Sequence, residues 1–188
     1  MPSQSEMGRK FENLKTYLDD SMRTHVTMSA QGGNSILFTY PPNEEKEYLS
    51  ELKKRYPHAC YIDIGEMFVE YIDRIGINEF IDFYKEHESD GEAFVSESDD
   101  EGTFYALVME NIKKLSEKSD YIFVIRTGSL YGTNLSNNKF LENEIIKKLR
   151  KPIVVMYPST IDNSDLNNQK LKFLGFAPAS MYRSFLID

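Results

Sequence analysis

A single cysteine, Cys60, is all the thiol chemistry this 188-residue chain carries. One thiol closes no internal disulfide and supplies too few thiolates for a zinc or iron–sulfur centre. Tryptophan is absent. No stretch approaches the roughly 20 apolar residues that span a bilayer. The opening MPSQSEMGRKFENLKTYLDD holds no apolar segment of the signal-peptide kind. A cytoplasmic protein with no membrane partner is therefore expected. Positive charge is also in short supply: 22 Lys+Arg against 30 Asp+Glu leave a formal net charge of −8. Phosphate backbones are gripped by clustered cations, so direct nucleic-acid binding is not expected. Catalytic signatures are missing too, with no G-x-S-x-G, H-E-x-x-H or C-x-x-C. His25, His58 and His87 are too scattered to support a metal trio or an acid–base pair.

What is present is a globular composition, 40% hydrophobic and 13% aromatic. A chain of this size buries about 70% of its unfolded surface, so residues 1–188 are expected to form a single domain. Apolar residues alternate between helical spacing and short solid runs. Solid runs at 35–40, 59–64, 121–125, 153–157 and 182–187 predict five strands. Helical spacing covers 5–24, a stretch from Asn43 as N-cap to Tyr56, then 66–74, 77–87, 102–118 and 139–149. Its inward stripes include Phe11, Leu14, Leu18 and Met22, then Tyr48, Leu49 and Leu52, and later Leu141, Ile145 and Leu149. Residues 88–101 hold seven acids and no base, which predicts a self-repelling mobile loop. Solidly apolar strands alternating with helices predict an α/β three-layer sandwich around a mostly parallel, roughly five-stranded sheet. Ligands in such folds sit where the C-terminal ends of the strands meet the following loops.

Those loops lack the usual apparatus. The first, Tyr40-Pro41-Pro42-Asn43-Glu44-Glu45-Lys46, loses two N–H donors to proline and adds two carboxylates that repel phosphate. This first unit thus lacks phosphate-binding motifs. Strand three ends in Arg126, which cannot hold magnesium. Asp63 with Glu66 could hold a cation, but capping of the next helix by Asp63 is the stronger expectation. Cys60 reads as a small core residue. Arg126-Thr127-Gly128-Ser129-Leu130-Tyr131-Gly132 offers glycines, hydroxyls and a cation. It could cradle an anion, hold a partner or simply turn the chain. Lys147, Lys148, Arg150 and Lys151 read as solvated charge at a helix C-terminus. The aromatic tail from Tyr157 to Phe185 is either packed core or, if exposed, a protein interface.

Several of these segments resemble one family. Ile122-Phe123-Val124-Ile125-Arg126-Thr127-Gly128-Ser129-Leu130-Tyr131 is similar to an apolar strand followed by a glycine–small–apolar–aromatic turn in the BrxB proteins of BREX phage-defence systems. Lys151-Pro152-Ile153-Val154-Val155-Met156-Tyr157-Pro158, Leu171-Lys172-Phe173-Leu174 and Tyr182-Arg183-Ser184-Phe185 continue that likeness. Phe38-Thr39-Tyr40-Pro41-Pro42 resembles the family's first strand. Ser159 stands where the family usually has glycine. The resemblance implies a non-catalytic adaptor with no cofactor, on a P-loop-like sandwich without phosphate-binding motifs. Its implied partners are a PglZ-like alkaline-phosphatase-family protein, the PglX methyltransferase and the BrxC ATPase. The expected contact residues are Arg126, Gly128, Tyr131, Tyr157, Pro158, Tyr182 and Arg183. The alternative is a nucleotide- or anion-binding regulator that uses the 126–134 loop.

Overall fold

The computed structural model describes residues 4–86, 102–133, 135, 137–162, 170–179 and 183–188. The acidic stretch 88–101, His87 and Tyr182 lie outside the described residues. Strand β1, Ser35–Tyr40, is buried at all six positions. It pairs in parallel with β4, Ile153–Asp162, in register from Ser35 against Ile153 to Tyr40 against Pro158. On its other side it pairs in parallel with β7, Phe185–Ile187. Strand β3, Ile122–Ile125, lies between β4 and β2, Cys60–Asp63, again in parallel. The order is β2-β3-β4-β1-β7. The expected α/β class and mostly parallel five-stranded core are therefore present.

Side chains on a strand alternate between faces, and each face here has its own core. Ile36, Phe38, Tyr40, Phe123, Ile125, Val154 and Met156 meet α1, Gln4–Tyr17, α2, Arg23–Ser29, and α3, Glu45–Arg55. Leu37, Ile122, Val124, Ile153 and Val155 face the other way. They meet α4, Ile64–Ile75, α5, Ile77–Glu86, α6, Phe104–Ser116, α7, Asn137–Leu141, and α8, Glu144–Lys147. Truncating a fully buried ring such as Phe38 to alanine costs about 3–5 kcal/mol at sites of this kind.

Several local expectations need correction. The helix expected over 5–24 is broken after Tyr17. The Asp19 carboxylate accepts from the Ser21 N–H at 3.0 Å and its hydroxyl at 2.6 Å, which starts a separate turn before α2. His25 thus lies within α2, stacked 5.9 Å from the Tyr17 ring, rather than after a helix. Asn43 caps nothing. Pro42 opens a 3₁₀ turn at a position that needs no N–H, and α3 follows from Glu45 without a side-chain cap. The helix expected over 139–149 is two short pieces. Asn143 divides them, accepting from the Ile145 N–H at 2.8 Å while donating to the Tyr105 hydroxyl at 2.8 Å. Ile146, rather than Ile145, is the fully buried residue there.

Lys151 is not solvated charge. Its ammonium donates to the Leu18 carbonyl at 2.8 Å and to the Asp20 carboxylate at 3.0 Å, tying the α1–α2 link to the start of β4. The fifth strand of the parallel set is Phe185–Ile187, with Arg183 and Ser184 outside it. Residues 159–162 belong to β4, which continues past the parallel sheet and pairs antiparallel with β5, Lys170–Phe173. β5 pairs in turn with β6, Ala177–Pro178. No helix of the described residues is long and apolar enough to cross a membrane.

Among the described glycines Gly33 makes the closest backbone approach: a Cβ there would overlap the carbonyl group of Arg183. The contact sets the turn before β1 against the turn before β7, where the Ser35 and Ser184 hydroxyls hydrogen-bond at 2.7 Å. Gly33→Ala should therefore destabilise the fold by about 1–3 kcal/mol in denaturant titration, as overpacked sites do. Gly8 in α1 has open space around its Cβ position. Gly8→Ala should stabilise by about 0.5–1 kcal/mol in the same assay.

Burial pushes the Tyr56, Tyr61 and Tyr157 hydroxyls up to about 12. In the unfolded chain they ionise near pH ~10. The stability that their neutral forms contribute is thus present below pH ~10 and lost as pH rises towards about 12. Denaturant midpoints followed through this range should fall in step with the tyrosinate absorbance.

Candidate functional site

Parallel strands bring their C-terminal ends to one rim, and most of the expected contact residues lie on it. Asp63 ends β2 and accepts the Glu66 N–H at 3.1 Å, the cap that starts α4. Arg126 follows β3 in the left-handed region, with φ of 55°. A non-glycine residue there carries backbone strain. Its guanidinium is 3.1 Å from the second Asp63 oxygen and 3.5 Å from Glu66. The cation and both acids that sequence reasoning treated separately therefore form one cluster. Among the described residues no group of three His, Cys, Asp or Glu could hold a metal ion.

The Gly128 loop is a closed turn. Thr127 is fully buried and donates to the Met156 carbonyl at 2.8 Å, pinning the loop to β4. The N–H groups of Ser129, Tyr131 and Thr133 bond to the carbonyls of Arg126, Gly128 and Leu130, each at 3.1 Å. Three of the loop's N–H donors are thus spent inside it. Gly128 admits the Leu174 side chain, which would lie 3.1 Å from an added Cβ.

Tyr157 and Pro158 are buried and belong to the floor of this rim. The Tyr157 ring stacks on Phe173 at 4.8 Å. Neither offers surface to a partner, which corrects their expected contact role. Arg183 is exposed but precedes β7, at the opposite end of the sheet. The expected contact residues therefore do not make one surface.

What the rim does expose is aromatic. Tyr131 is 56% exposed and Phe176 is 60% exposed. Their rings meet edge to face at 5.2 Å. Phe176 was absent from the expected contacts. It rides on the β5–β6 hairpin, whose turn has positive φ at Leu174 and Gly175 and is closed by the Phe176 N–H donating to the Phe173 carbonyl at 3.2 Å. The available signal was Leu174-Gly175 between two short apolar runs. Tyr84 of α5 supports the far side by donating to the Gly132 carbonyl at 3.2 Å.

Asp63→Ala removes both the helix cap and the Arg126 pair, and should cost about 1 kcal/mol in chemical denaturation. Asp63→Asn keeps a capping oxygen and should cost less than half as much. Comparison of the chain with protein-family models, curated proteins and solved structures found no match.

Proposed function

We propose that this protein is a non-catalytic adaptor of a BREX bacteriophage-defence system that works by binding other proteins of that system. The observation that carries this reading is the exposed Tyr131–Phe176 pair on the strand C-terminal rim. Two aromatic rings held together in solvent suit the anchor of a protein interface. The pair is built on rigid parts: a loop pinned to β4 by Thr127, and a hairpin that extends β4. The sequence resemblance supplies the partner, a PglZ-like alkaline-phosphatase-family protein, with PglX and BrxC as further members of the assembly. The net charge of −8 favours protein contacts over a direct grip on nucleic acid.

The competing reading, a nucleotide or anion held by residues 126–134, has less behind it. Three of the loop's N–H groups go to its own carbonyls, and Arg126 is already matched to two carboxylates. Coexpression with the PglZ-like protein tests the adaptor reading. The native chain should co-purify with it. Tyr131→Ala combined with Phe176→Ala should reduce recovery by about tenfold or more while the thermal melt is retained, as loss of an interface hot spot does. Undiminished recovery would remove the rim as the interface. No co-purification of the native chain would remove the adaptor reading itself.

A further inference from the structure

The end of the sheet where the strands begin carries a second feature, independent of the aromatic rim. A cavity of about 320 Å³ opens between α2, the turn before β1 and α8. Arg23, Thr24, Thr27, Met28, Asn34 and Lys147 line it, with Gly32 at the turn. No carboxylate is among them, in a chain whose net charge is −8. The Arg23 guanidinium reaches the Leu149 carbonyl at 3.4 Å, with no acid in ion-pair range among the described residues. Among the described residues Lys147 pairs with Glu144 of its own short helix, and that side chain is 69% exposed.

Asn34 adds a specific demand. It is 4% exposed, and its amide nitrogen donates to the Ile146 carbonyl at 3.1 Å and the Leu149 carbonyl at 2.9 Å. Those two bonds use both amide hydrogens and fix which way the amide faces. Its oxygen is buried and has no hydrogen-bond partner among the described residues. A buried acceptor in this state is destabilising until a donor reaches it.

Two cations and two hydroxyls call for an anion, and the lone amide oxygen calls for a hydroxyl donor. We propose that this cavity binds a small phosphate monoester that also carries free hydroxyls, in the class of sugar phosphates and nucleoside monophosphates. The phosphate lies between Arg23 and Lys147, with the Thr24 and Thr27 hydroxyls donating to it. A ligand hydroxyl satisfies the Asn34 oxygen. The guanidinium fork matches phosphate oxygens in pairs. The volume stands at the lower end of small-molecule sites, which run from about 300 to 1,000 Å³.

Calorimetric titration of the full chain with adenosine monophosphate, a glucose monophosphate and inorganic phosphate tests the proposal. At least one ester should bind about tenfold more tightly than inorganic phosphate, with affinity falling as salt is added. Arg23→Ala combined with Lys147→Met should weaken that binding by about tenfold or more. Should the double variant unfold, Lys147→Met alone and Thr27→Val each give a smaller loss on a folded chain. Failure of both esters to bind, inorganic phosphate binding as well as they do, or affinity that survives these substitutions would each overturn it. The rim reading is untouched by any of these results.

Discussion

The parallel pairing of β1 with β4 is the constraint on which the rest of the structure depends. Six consecutive residue pairs, Ser35 with Ile153 through Tyr40 with Pro158, form the centre of the sheet. A parallel strand at the centre has a neighbour on each side and a layer on each face, so all of β1 is buried. Both faces must then be covered, and the chain does so with two separate cores. Phe11, Phe38 and Tyr48 pack together on one side; Phe104, Val108 and Ile112 pack on the other. The polar groups inside this frame serve as ties. Thr39 donates to the Ile187 carbonyl at 3.0 Å, and Lys151 closes the α1–α2 link. The same parallel arrangement divides the functional surface, because every strand of the core starts at one end and finishes at the other.

The core was legible in the sequence because solid apolar runs have few alternatives. Ile36–Phe38, Ile122–Ile125 and Ile153–Met156 all lie in strands where expected. Helix ends were less legible, since a single side chain decides them. Asp19 and Asn143 each sit inside a helical apolar pattern and break it by capping a new start. Periodicity registers apolar spacing and is blind to a carboxylate or amide that turns back on the backbone. The β5–β6 hairpin escaped for a different reason. Lys170, Leu171 and Lys172 are partly solvated, and a two-residue β6 containing Pro178 carries almost no pattern.

The candidate site was legible in composition and less so in geometry. Arg126, Gly128 and Tyr131 do gather on one rim, and Asp63 caps α4 as its position suggests. Tyr157 and Pro158 stand in the same sequence neighbourhood yet face inward, because they continue the buried central strand. Arg183 is separated from them by the length of the sheet. Only strand direction could place it, and direction follows from the pairing of β7 with β1. The Asn34 amide was equally hidden, since its role arises from the carbonyls that end α8, more than a hundred residues away in the chain.

β4 is one uninterrupted ribbon with two kinds of neighbour. Its first half is held between β1 and β3, and its second half leaves the layer to carry the hairpin with Phe176. The projecting part is thus a cantilever anchored in the middle of the molecule, with no hinge at its root. The β4 backbone thus links the exposed Phe176 hairpin directly to the buried centre of the sheet.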